Sequence, residues 1–310
     1  MTLTRVLTAL VLLPIAVVIV LFTPTWAVAV AVAVLTVVAL WEYFALGEAI
    51  GHRAYRLWTI FCALLLLLFQ CLTALANDRM LPDLIEHARL AGDGGTRLVL
   101  MGFIFGLAVL TLFTRRPLVE TLPAAGISSS AFLLVAFPLS FAVRLHGIPA
   151  HGPLFLLFAL AITWAADTVA YFAGRAFGKH PLAPHISPKK TWEGSLAGLA
   201  GSLLIGCAFR HWLSLPLPHL LAMATLGNIA GQMGDLLESA YKRSAGVKDS
   251  GGLLPGHGGI LDRIDALILC IPVIWYYLVL ALWGPPSACS PGGAWEAVRL
   301  WVSSSSRAVV

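Results

Sequence analysis

Long apolar stretches with almost no charge recur along this sequence, and they constrain its fold more than any other feature. A helix needs about 20 mainly apolar residues to cross the hydrocarbon core of a bilayer. Nine stretches meet this requirement: 5–22, 25–46, 57–76, 97–114, 126–145, 153–177, 193–213, 217–239 and 262–284. Only 11% of the residues are charged, whereas soluble domains carry roughly 25%, so lipid must surround most of the chain. The sequence therefore predicts an all-α, polytopic transmembrane helix bundle of about nine spans.

The placement of basic residues predicts the orientation of this bundle. With nine spans and an internal N-terminus, the inner loops and their helix ends hold 13 of the 20 Lys and Arg residues. Such an excess is typical of the cytoplasmic side. Loops 178–192 and 240–261 then face the cytoplasm, the C-terminus lies outside, and we expect a multi-pass protein of the cell inner membrane. The same bias explains the net charge of +5, so this charge does not indicate a nucleic-acid partner.

Neither a cleaved leader nor a cysteine-based site is indicated. The first stretch follows a single Arg5 and precedes a second apolar stretch, with no clear small-residue cleavage site, which favours a retained helix over a signal peptide. The five cysteines are odd in number and lack CxxC spacing. They predict neither a disulfide framework nor a zinc site.

Ionisable residues divide the chain into three segments. Residues 1–150 are nearly uniform in Leu, Val and Ala, and they predict a scaffold of transmembrane helices. Residues 151–285 place acidic residues at membrane depth or at helix ends, where charges are costly and therefore indicate function. This second segment is predicted to be a catalytic transmembrane domain with cytoplasmic loops. Residues 286–310 form a short tail that we expect to be flexible.

The first polar cluster of the second segment follows one face of a predicted helix into a loop. Asp167, Tyr171 and Gly174 are spaced at i, i+4 and i+7, so they share a helical face. A turn and a new helix N-terminus follow, where lysines beside free backbone N–H groups form an anion site. The residues concerned are Ser187, Lys189, Lys190 and Thr191. Anchoring of these lysines to lipid headgroups is the alternative.

The second polar cluster is a stripe on one face of a later predicted helix. Its members are Asn228, Gln232, Asp235 and Ser239. Gly227 and Gly231 form a small-xxx-small pair that lets another helix approach closely. Hydrogen bonding between helices would explain the two amides, whereas a bound cation would also explain Asp235 and the nearby Glu238.

The third polar cluster, at 239–265, combines basic residues, a Gly/Pro loop and acids where the last predicted helix begins. Its members include Lys242, Arg243, Lys248, Asp249, His257, Gly258, Gly259, Asp262, Arg263 and Asp265. Glycines let backbone N–H groups approach a phosphate. Asp262 and Asp265, at i and i+3, present hard oxygen ligands on one helical face, as Mg²⁺ requires. A merely solvated loop does not account for this combination.

The third cluster resembles, nearly residue for residue, the signature of the CDP-diglyceride synthetases (phosphatidate cytidylyltransferases). That signature reads Ser, Lys-Arg, Lys-Asp, His-Gly-Gly, Asp-Arg and a final Asp. These fall here on Ser239, Lys242, Arg243, Lys248, Asp249, His257, Gly258, Gly259, Asp262, Arg263 and Asp265. The upstream runs 187–194 and 234–239 are also similar to family motifs. The resemblance covers about residues 150–285, while the N-terminal half is similar only in being a bundle of apolar helices.

The resemblance implies an integral-membrane nucleotidyltransferase of phospholipid biosynthesis. It would condense CTP with phosphatidic acid to give CDP-diacylglycerol and pyrophosphate. The lipid phosphate is then the nucleophile, so the protein supplies position and charge stabilisation. The implied cofactor is Mg²⁺, with a second metal ion left open. The implied partners are CTP, phosphatidic acid and the lipid bilayer, and a homodimer is left open as well.

The resemblance also implies roles for individual residues. Metal ligands are expected first from Asp235 and Asp262, and then from Asp265, Asp249 and Asp167. Contacts to the CTP phosphates are expected from Lys189, Lys190, Lys248 and Arg263, and the neighbouring Ser187 and Thr191 are expected to bind substrate. The phosphatidate headgroup suits Lys242 and Arg243, and the further substrate-binding candidates are Asp167, Asn228 and Ser239. His257 either donates to a phosphate oxygen or has a structural role in its loop. The expected catalytic set is Asp235, Asp262, Lys248, Arg263 and His257.

Three other classes of protein compete with this interpretation. A CTP-dependent lipid-alcohol kinase of the polyprenol type also needs CTP, Mg²⁺ and a lipid, but it needs a base for the alcohol and its motifs match less well. A CDP-alcohol phosphotransferase would show a DG…AR…G…D…D run, which the sequence lacks. A transporter would carry polar residues through both leaflets, whereas here they gather towards one face.

Overall fold

The computed structural model describes residues 13–78, 82–213, 215–252 and 258–282, and these form a helical bundle with one small hairpin. The first six helices are α1 (Leu13–Phe22), α2 (Thr25–Ala49), α3 (Arg56–Asp78), α4 (Pro82–Leu112), α5 (Leu118–Ala131) and α6 (Phe137–His146). The others are α7 (Gly152–Phe177), α8 (Trp192–Leu213), α9 (Leu217–Ser244) and α10 (Leu261–Tyr277). Two π-helical segments, Phe132–Ala136 and Leu278–Leu282, join α5 to α6 and extend α10.

Seven of the described helical segments are long and apolar enough to cross a membrane. They are Thr25–Ala49, Arg56–Leu75, Gly94–Leu112, Leu118–His146, Gly152–Phe177, Trp192–Leu213 and Leu261–Ala281. Each overlaps one of the predicted spans. The first predicted span is described only from residue 13 onwards, and α9 is long enough at 28 residues but carries a polar stripe that lowers its hydropathy. The predicted transmembrane bundle is confirmed.

Large apolar side chains cover the outside of the bundle. Phe113 is 80% exposed, and Leu118 is 85% exposed. In water such a surface would drive association, whereas in a bilayer it faces acyl chains. The internal core is also apolar, with Phe44, Phe132 and Phe158 fully buried. The outer and inner surfaces are therefore both consistent with lipid as the solvent.

A two-stranded hairpin between α7 and α8 departs from the all-helical prediction. Strands β1 (Pro181–Ala183) and β2 (Ser187–Thr191) pair antiparallel. The sequence predicted only a turn and a helix start at 187–191, so the extended conformation of β2 is a correction. The side chain of Glu193 accepts from His180 Nδ1 at 2.6 Å, and the backbone N–H of Trp192 donates to the carbonyl of His180 at 2.9 Å. These bonds, which link distant positions, close the hairpin onto the start of α8.

Glycines bring α9 into close contact with its neighbours, as the small-xxx-small pair predicted. A Cβ on Gly227 would lie 2.7 Å from Ile162 of α7, and one on Gly231 would lie 3.3 Å from the carbonyl oxygen of Ala266 of α10. The tightest approach is at Gly234, where a Cβ would lie 2.4 Å from the carbonyl oxygen of Asp265. Only glycine permits this separation between α9 and α10.

Four helix ends meet at one end of the bundle. The C-terminal ends of α7 and α9 and the N-terminal ends of α8 and α10 gather there, together with the hairpin. The guanidinium of Arg243, at the end of α9, donates to the carbonyl of Ile186 in the hairpin turn at 3.3 Å. The segment 178–192 and the described residues of 240–261 therefore lie on the same face of the bundle, as predicted.

Candidate active site

A cavity of about 620 Å³ opens where α7, the hairpin, α8 and α9 converge. Its size falls within the range of roughly 300–1,000 Å³ that is typical of small-molecule sites. Predicted site residues that line it are Asp167, Lys189, Lys190, Thr191 and Asp235. Residues from the first two polar clusters, far apart in the sequence, thus share one cavity.

An ion pair joins the hairpin to α9 inside this cavity. The ammonium group of Lys190 contacts Asp235 Oδ2, and the two side chains remain 29% and 27% exposed. Thr191 caps α8, because its hydroxyl accepts from the backbone N–H of Gly194 at 3.2 Å. The predicted helix start is confirmed here. A lysine and a positively polarised helix end consequently face the same space, which suits an anion.

Acidic side chains from three helices approach one another beside the cavity. Asp265 of α10 interacts electrostatically with Asp235 and Glu238 of α9 and with Asp167 of α7. Glu238 in turn interacts with Asp262. These five residues are called the carboxylate cluster below. Their mutual repulsion in a partly buried site makes the cluster a place where cations are stabilised.

Lys242 is the buried counter-ion of the carboxylate cluster. It is 8% exposed, and its ammonium group contacts both Glu238 and Asp262. The sequence predicted that Lys242 would meet a phosphatidate headgroup at the membrane surface. In the structure the lysine points inwards instead, because two carboxylates compete for its charge. Arg243, by contrast, is exposed at the end of α9, where its guanidinium donates to the carbonyls of Ile186 and Val247.

Asp262 is held by bonds to both of its oxygens. Oδ1 accepts from Lys242, while Oδ2 accepts from the backbone N–H groups of Ser250 at 3.0 Å and Gly259 at 2.8 Å. Gly258 adopts a φ of 78°, and a Cβ on it would lie 2.7 Å from Asp262 Oδ2. The sequence predicted that these glycines bring backbone N–H groups to a phosphate. The structure shows them wrapped around the carboxylate of Asp262.

Glu42, on α2, is a residue of this site that the sequence reasoning missed. It is 7% exposed, and its carboxylate accepts from the backbone N–H groups of Ile260 at 3.0 Å and Leu261 at 2.8 Å. It also accepts from the hydroxyl of Ser250 at 3.0 Å. The backbone contacts join α2 to residues 218 and 219 positions later in the chain. A usable signal was present, because an acid within a membrane span is costly wherever it occurs.

The two amide side chains of the second cluster, Asn228 and Gln232, form hydrogen bonds to each other and to residues of α8. Asn228 is 2% exposed; its amide donates to the Ser202 hydroxyl at 2.9 Å, and its oxygen accepts from Gln232 at 2.6 Å. Gln232 also donates to the backbone carbonyl of Ser195 on α8. In the structure Asn228 therefore serves packing between α8 and α9, and its role as a substrate contact stays a prediction. Ser239 donates to Asp235 Oδ1 at 3.5 Å, so it orients that acid.

Most of the remaining predicted residues are exposed. Lys189, Lys248, Asp249 and Arg263 are exposed, and Ser187 is partly buried on β2. Arg263 is close enough to Asp167 for an electrostatic interaction. Asp249 is not one of the five acids of the carboxylate cluster, but it lies next to Asp262, because a Cβ on Gly258 would lie 3.5 Å from Asp249 Cβ and 2.7 Å from Asp262 Oδ2. His257 lies outside the described residues, as does the tail at 286–310.

The donor set of the carboxylate cluster fits a hard divalent cation. Within the described ranges, no group of three or more His, Cys, Asp or Glu side chains is arranged to hold a metal as it stands. The cluster nevertheless contains five carboxylates, against which Lys190 and Lys242 supply two ammonium groups. Those ammonium groups mark positions where the carboxylates already bind a cation. Carboxylate oxygens are the ligands that Mg²⁺ prefers, so the residues fit such an ion.

The fold and the site together define a class: a multi-helix membrane protein in which lysines and acidic side chains meet in a cavity where helix ends converge. The sequence model of the Cytidylyltransferase family matches residues 3–281. The chain belongs to this family, and the predicted family membership is confirmed.

Several relatives share the name phosphatidate cytidylyltransferase. The protein of that name from Bacillus subtilis is 34% identical over 206 residues, which cover 65% of this chain and 74% of the relative. The one from Synechocystis is 34% identical over 275 residues, 83% of this chain and 90% of the relative. The one from Haemophilus influenzae is 44% identical over 142 residues, 43% of this chain and 49% of the relative.

Proposed function

We propose that this protein catalyses the condensation of CTP with phosphatidic acid to give CDP-diacylglycerol and pyrophosphate. The observation that carries the proposal is that Asp167 and Asp235 of the carboxylate cluster share one cavity with Lys190 and the start of α8. Both substrates are anions, one from water and one from the bilayer. A cation-lined cavity at the ends of membrane helices is where the two can meet.

The reaction needs no nucleophile from the protein. An oxygen of the phosphatidate phosphate attacks the α-phosphorus of CTP, and a new P–O–P bond forms. The bond from the α-phosphorus to the oxygen that bridges it to the β-phosphorus breaks, and pyrophosphate leaves with that electron pair. Catalysis then consists of holding the two phosphates in line and stabilising the charge that develops on the leaving group.

The CTP phosphates are proposed to lie at the N-terminus of α8. Lys189 and Lys190 of β2 would contact them together with the N–H groups that begin the helix. Lys190 is bound to Asp235 in the structure, so a phosphate would draw its ammonium group away from that acid. Arg263, exposed at the start of α10 and near Asp167, would approach from the opposite side.

The metal is proposed to be Mg²⁺, held by Asp235 and Asp262 with Asp265 and Asp167 beside them. When bound, such an ion neutralises phosphate charge and so assists the departure of pyrophosphate. Lys242 now occupies a cation position between Glu238 and Asp262. Once the negative charge of these acids is shared with another cation, Lys242 is free to turn towards a substrate phosphate.

The lipid is proposed to reach the site from the inner leaflet. Tyr171 lines the cavity and is 60% exposed, and Phe172 beside it is 65% exposed, so this side of α7 is open to acyl chains. Arg243, at the end of α9, lies where a headgroup phosphate would arrive. This proposal places the hairpin and the segment 240–261 on the cytoplasmic side of the cell inner membrane, where CTP is available.

The experiment follows the label of CTP into lipid. Purified protein in mixed micelles with phosphatidic acid and Mg²⁺ is expected to release pyrophosphate and to transfer the label of α-³²P-CTP to the lipid. Asp235→Asn keeps the side-chain volume and removes the charge, so at least about a hundredfold loss of rate is expected. The matched control is Glu48→Gln, which removes a carboxylate that is 40% exposed and lies outside the cavity.

Two results would contradict the proposal. Transfer of label to lipid from γ-³²P-CTP, instead of the α-labelled form, would indicate a lipid kinase of the polyprenol type. Full activity of Asp235→Asn at saturating Mg²⁺ would remove this acid from the metal site.

A further inference from the structure

We infer that Glu42 is a positioning residue of the active site, which holds the start of α10 and, through Ser250, the carboxylate of Asp262. The residue lies on α2, in the segment that the sequence assigned to a passive scaffold. Its catalytic consequence rests on the proposed function, whereas its structural role does not. Glu42 would contact neither substrate, and it acts through the residues that it holds.

The contacts of Glu42 replace a missing helix cap. The N-cap residue of α10 is Ile260, which has no side-chain oxygen and forms no side-chain cap. Helices usually obtain this cap from a Ser, Thr, Asp or Asn of their own. Here the carboxylate of Glu42 supplies it from another helix, with Oε1 accepting from Ile260 N–H and Oε2 from Leu261 N–H.

Two glycines make room for this carboxylate. A Cβ on Gly251 would lie 2.6 Å from Glu42 Oε1, and a Cβ on Gly259 would lie 2.3 Å from Glu42 Oε2. Both distances are below 3.0 Å, a separation that Cβ atoms in proteins essentially never show, so a larger residue at either position would clash with Glu42. Gly251 and Gly259 therefore leave space for the carboxylate of Glu42, as Gly258 does for that of Asp262.

The charge of Glu42 is compensated by hydrogen-bond donors. Among the described residues Glu42 forms no ion pair with Lys, Arg or His. Its oxygens face three donors and the positive end of the α10 dipole, which stabilise a negative charge. An amide in place of the carboxylate would turn an NH₂ group towards one of these N–H donors. Both side-chain oxygens at position 42 must therefore accept hydrogen bonds, as only a carboxylate can.

Ser250 connects Glu42 to Asp262. Its hydroxyl lies 3.0 Å from both Glu42 Oε2 and Asp262 Oδ2, so its one hydrogen is shared between two carboxylates. Its backbone N–H donates to Asp262 Oδ2 as well. A shift of Glu42 thus moves Ser250 and the first turn of α10 together. Both of these fix the side chain of Asp262.

The experiment compares Glu42→Gln and Ser250→Ala with the wild type and with the control Glu48→Gln in lipid nanodiscs. Hydrogen–deuterium exchange of the 258–265 peptide reports on the cap without reference to activity, and a peptide from α8 serves as internal reference. In Glu42→Gln we expect this exchange to be about 10- to 100-fold faster, the loss that corresponds to one or two charge-assisted hydrogen bonds. Ser250→Ala keeps the cap and is expected to show near wild-type exchange of Ile260 and Leu261.

Kinetics then separate positioning from folding. We expect kcat for pyrophosphate release to fall about tenfold or more in Glu42→Gln and about three- to tenfold in Ser250→Ala. KM for CTP and for phosphatidic acid should stay within about twofold, because neither residue touches substrate. Glu48→Gln should match the wild type in exchange and in rate.

Each outcome decides the inference. Unchanged exchange in Glu42→Gln overturns it, and so does faster exchange with an unchanged kcat. If Glu42→Gln fails to fold, Ser250→Ala decides: an unchanged kcat in that variant overturns the inference. If the wild type releases no pyrophosphate, the proposed function fails, while the exchange data still establish whether Glu42 caps α10.

Discussion

Replacing Gly234 by Ala tests whether the spacing of α9 and α10 sets the geometry of the carboxylate cluster. In an isolated helix this change is favourable by about 0.5–1 kcal/mol. In this structure the added Cβ would lie 2.4 Å from the carbonyl oxygen of Asp265, and separations below 3.0 Å do not occur. The two helices must therefore separate by at least about 0.6 Å, the shortfall between those distances.

The expected loss follows from where that displacement falls. Asp235 lies one residue from Gly234, and Asp265 is the residue whose carbonyl is displaced, so the change acts directly on two members of the carboxylate cluster. A misplacement of about 1 Å costs about a hundredfold in rate. A shift of about 0.6 Å thus predicts roughly a tenfold loss of kcat, or about 1.4 kcal/mol of barrier. Overpacking should also lower the free energy of unfolding by about 1–3 kcal/mol.

The assay measures initial rates of pyrophosphate release together with thermal unfolding of the purified protein. Gly102→Ala is the matched control, since Gly102 is also helical and a Cβ there meets nothing within 4 Å. This control should be as active as the wild type and equally or slightly more stable. The reasoning would be refuted if Gly234→Ala kept more than half of the wild-type kcat with an unchanged melting temperature.

Three further predictions concern topology, substrate contacts and packing. Single cysteines in 178–192 and 240–261 of a Cys-free variant should react with an impermeant thiol reagent only after permeabilisation of cells; labelling of intact cells would reverse the orientation. Lys189→Ala should raise KM chiefly for CTP and Arg243→Ala chiefly for phosphatidic acid, and a two-substrate kinetic matrix in which these effects are exchanged would reverse the assignment. Asn228→Leu should destabilise the protein by about 1–3 kcal/mol in thermal unfolding, since it strands the partners of a buried amide; a KM increase without destabilisation would return Asn228 to substrate contact.

The membrane helices were predictable because length and apolarity decide them without reference to tertiary contacts. The same holds for the start of α8, where Thr191 is a local capping signal. The hairpin was not predictable in this way. Strand β2 contains Pro188 and is only five residues long, and it exists because it pairs with β1 and because His180 binds Glu193.

The site was predictable as a set of residues but not as a set of contacts. Helical spacing placed Asn228, Asp235 and Ser239 on one face, and the structure agrees. However, the amide of Asn228 packs against α8, whereas the carboxylate of Asp235 lines the cavity. Spacing also put Lys242 near a helix end without indicating that Asp262, 20 residues later, would draw it inwards. The division into a scaffold of 1–150 and a catalytic segment of 151–285 stays a prediction.

The link between Glu42 and α10 has a consequence for biosynthesis. Glu42 and Leu261 are 219 residues apart, so α2 enters the membrane long before α10 has been translated. During that interval Glu42 lacks the two N–H donors of α10, and Asp235 and Glu238 await the helix that packs against them. Insertion of α10 is therefore the event that buries these acids and completes the carboxylate cluster.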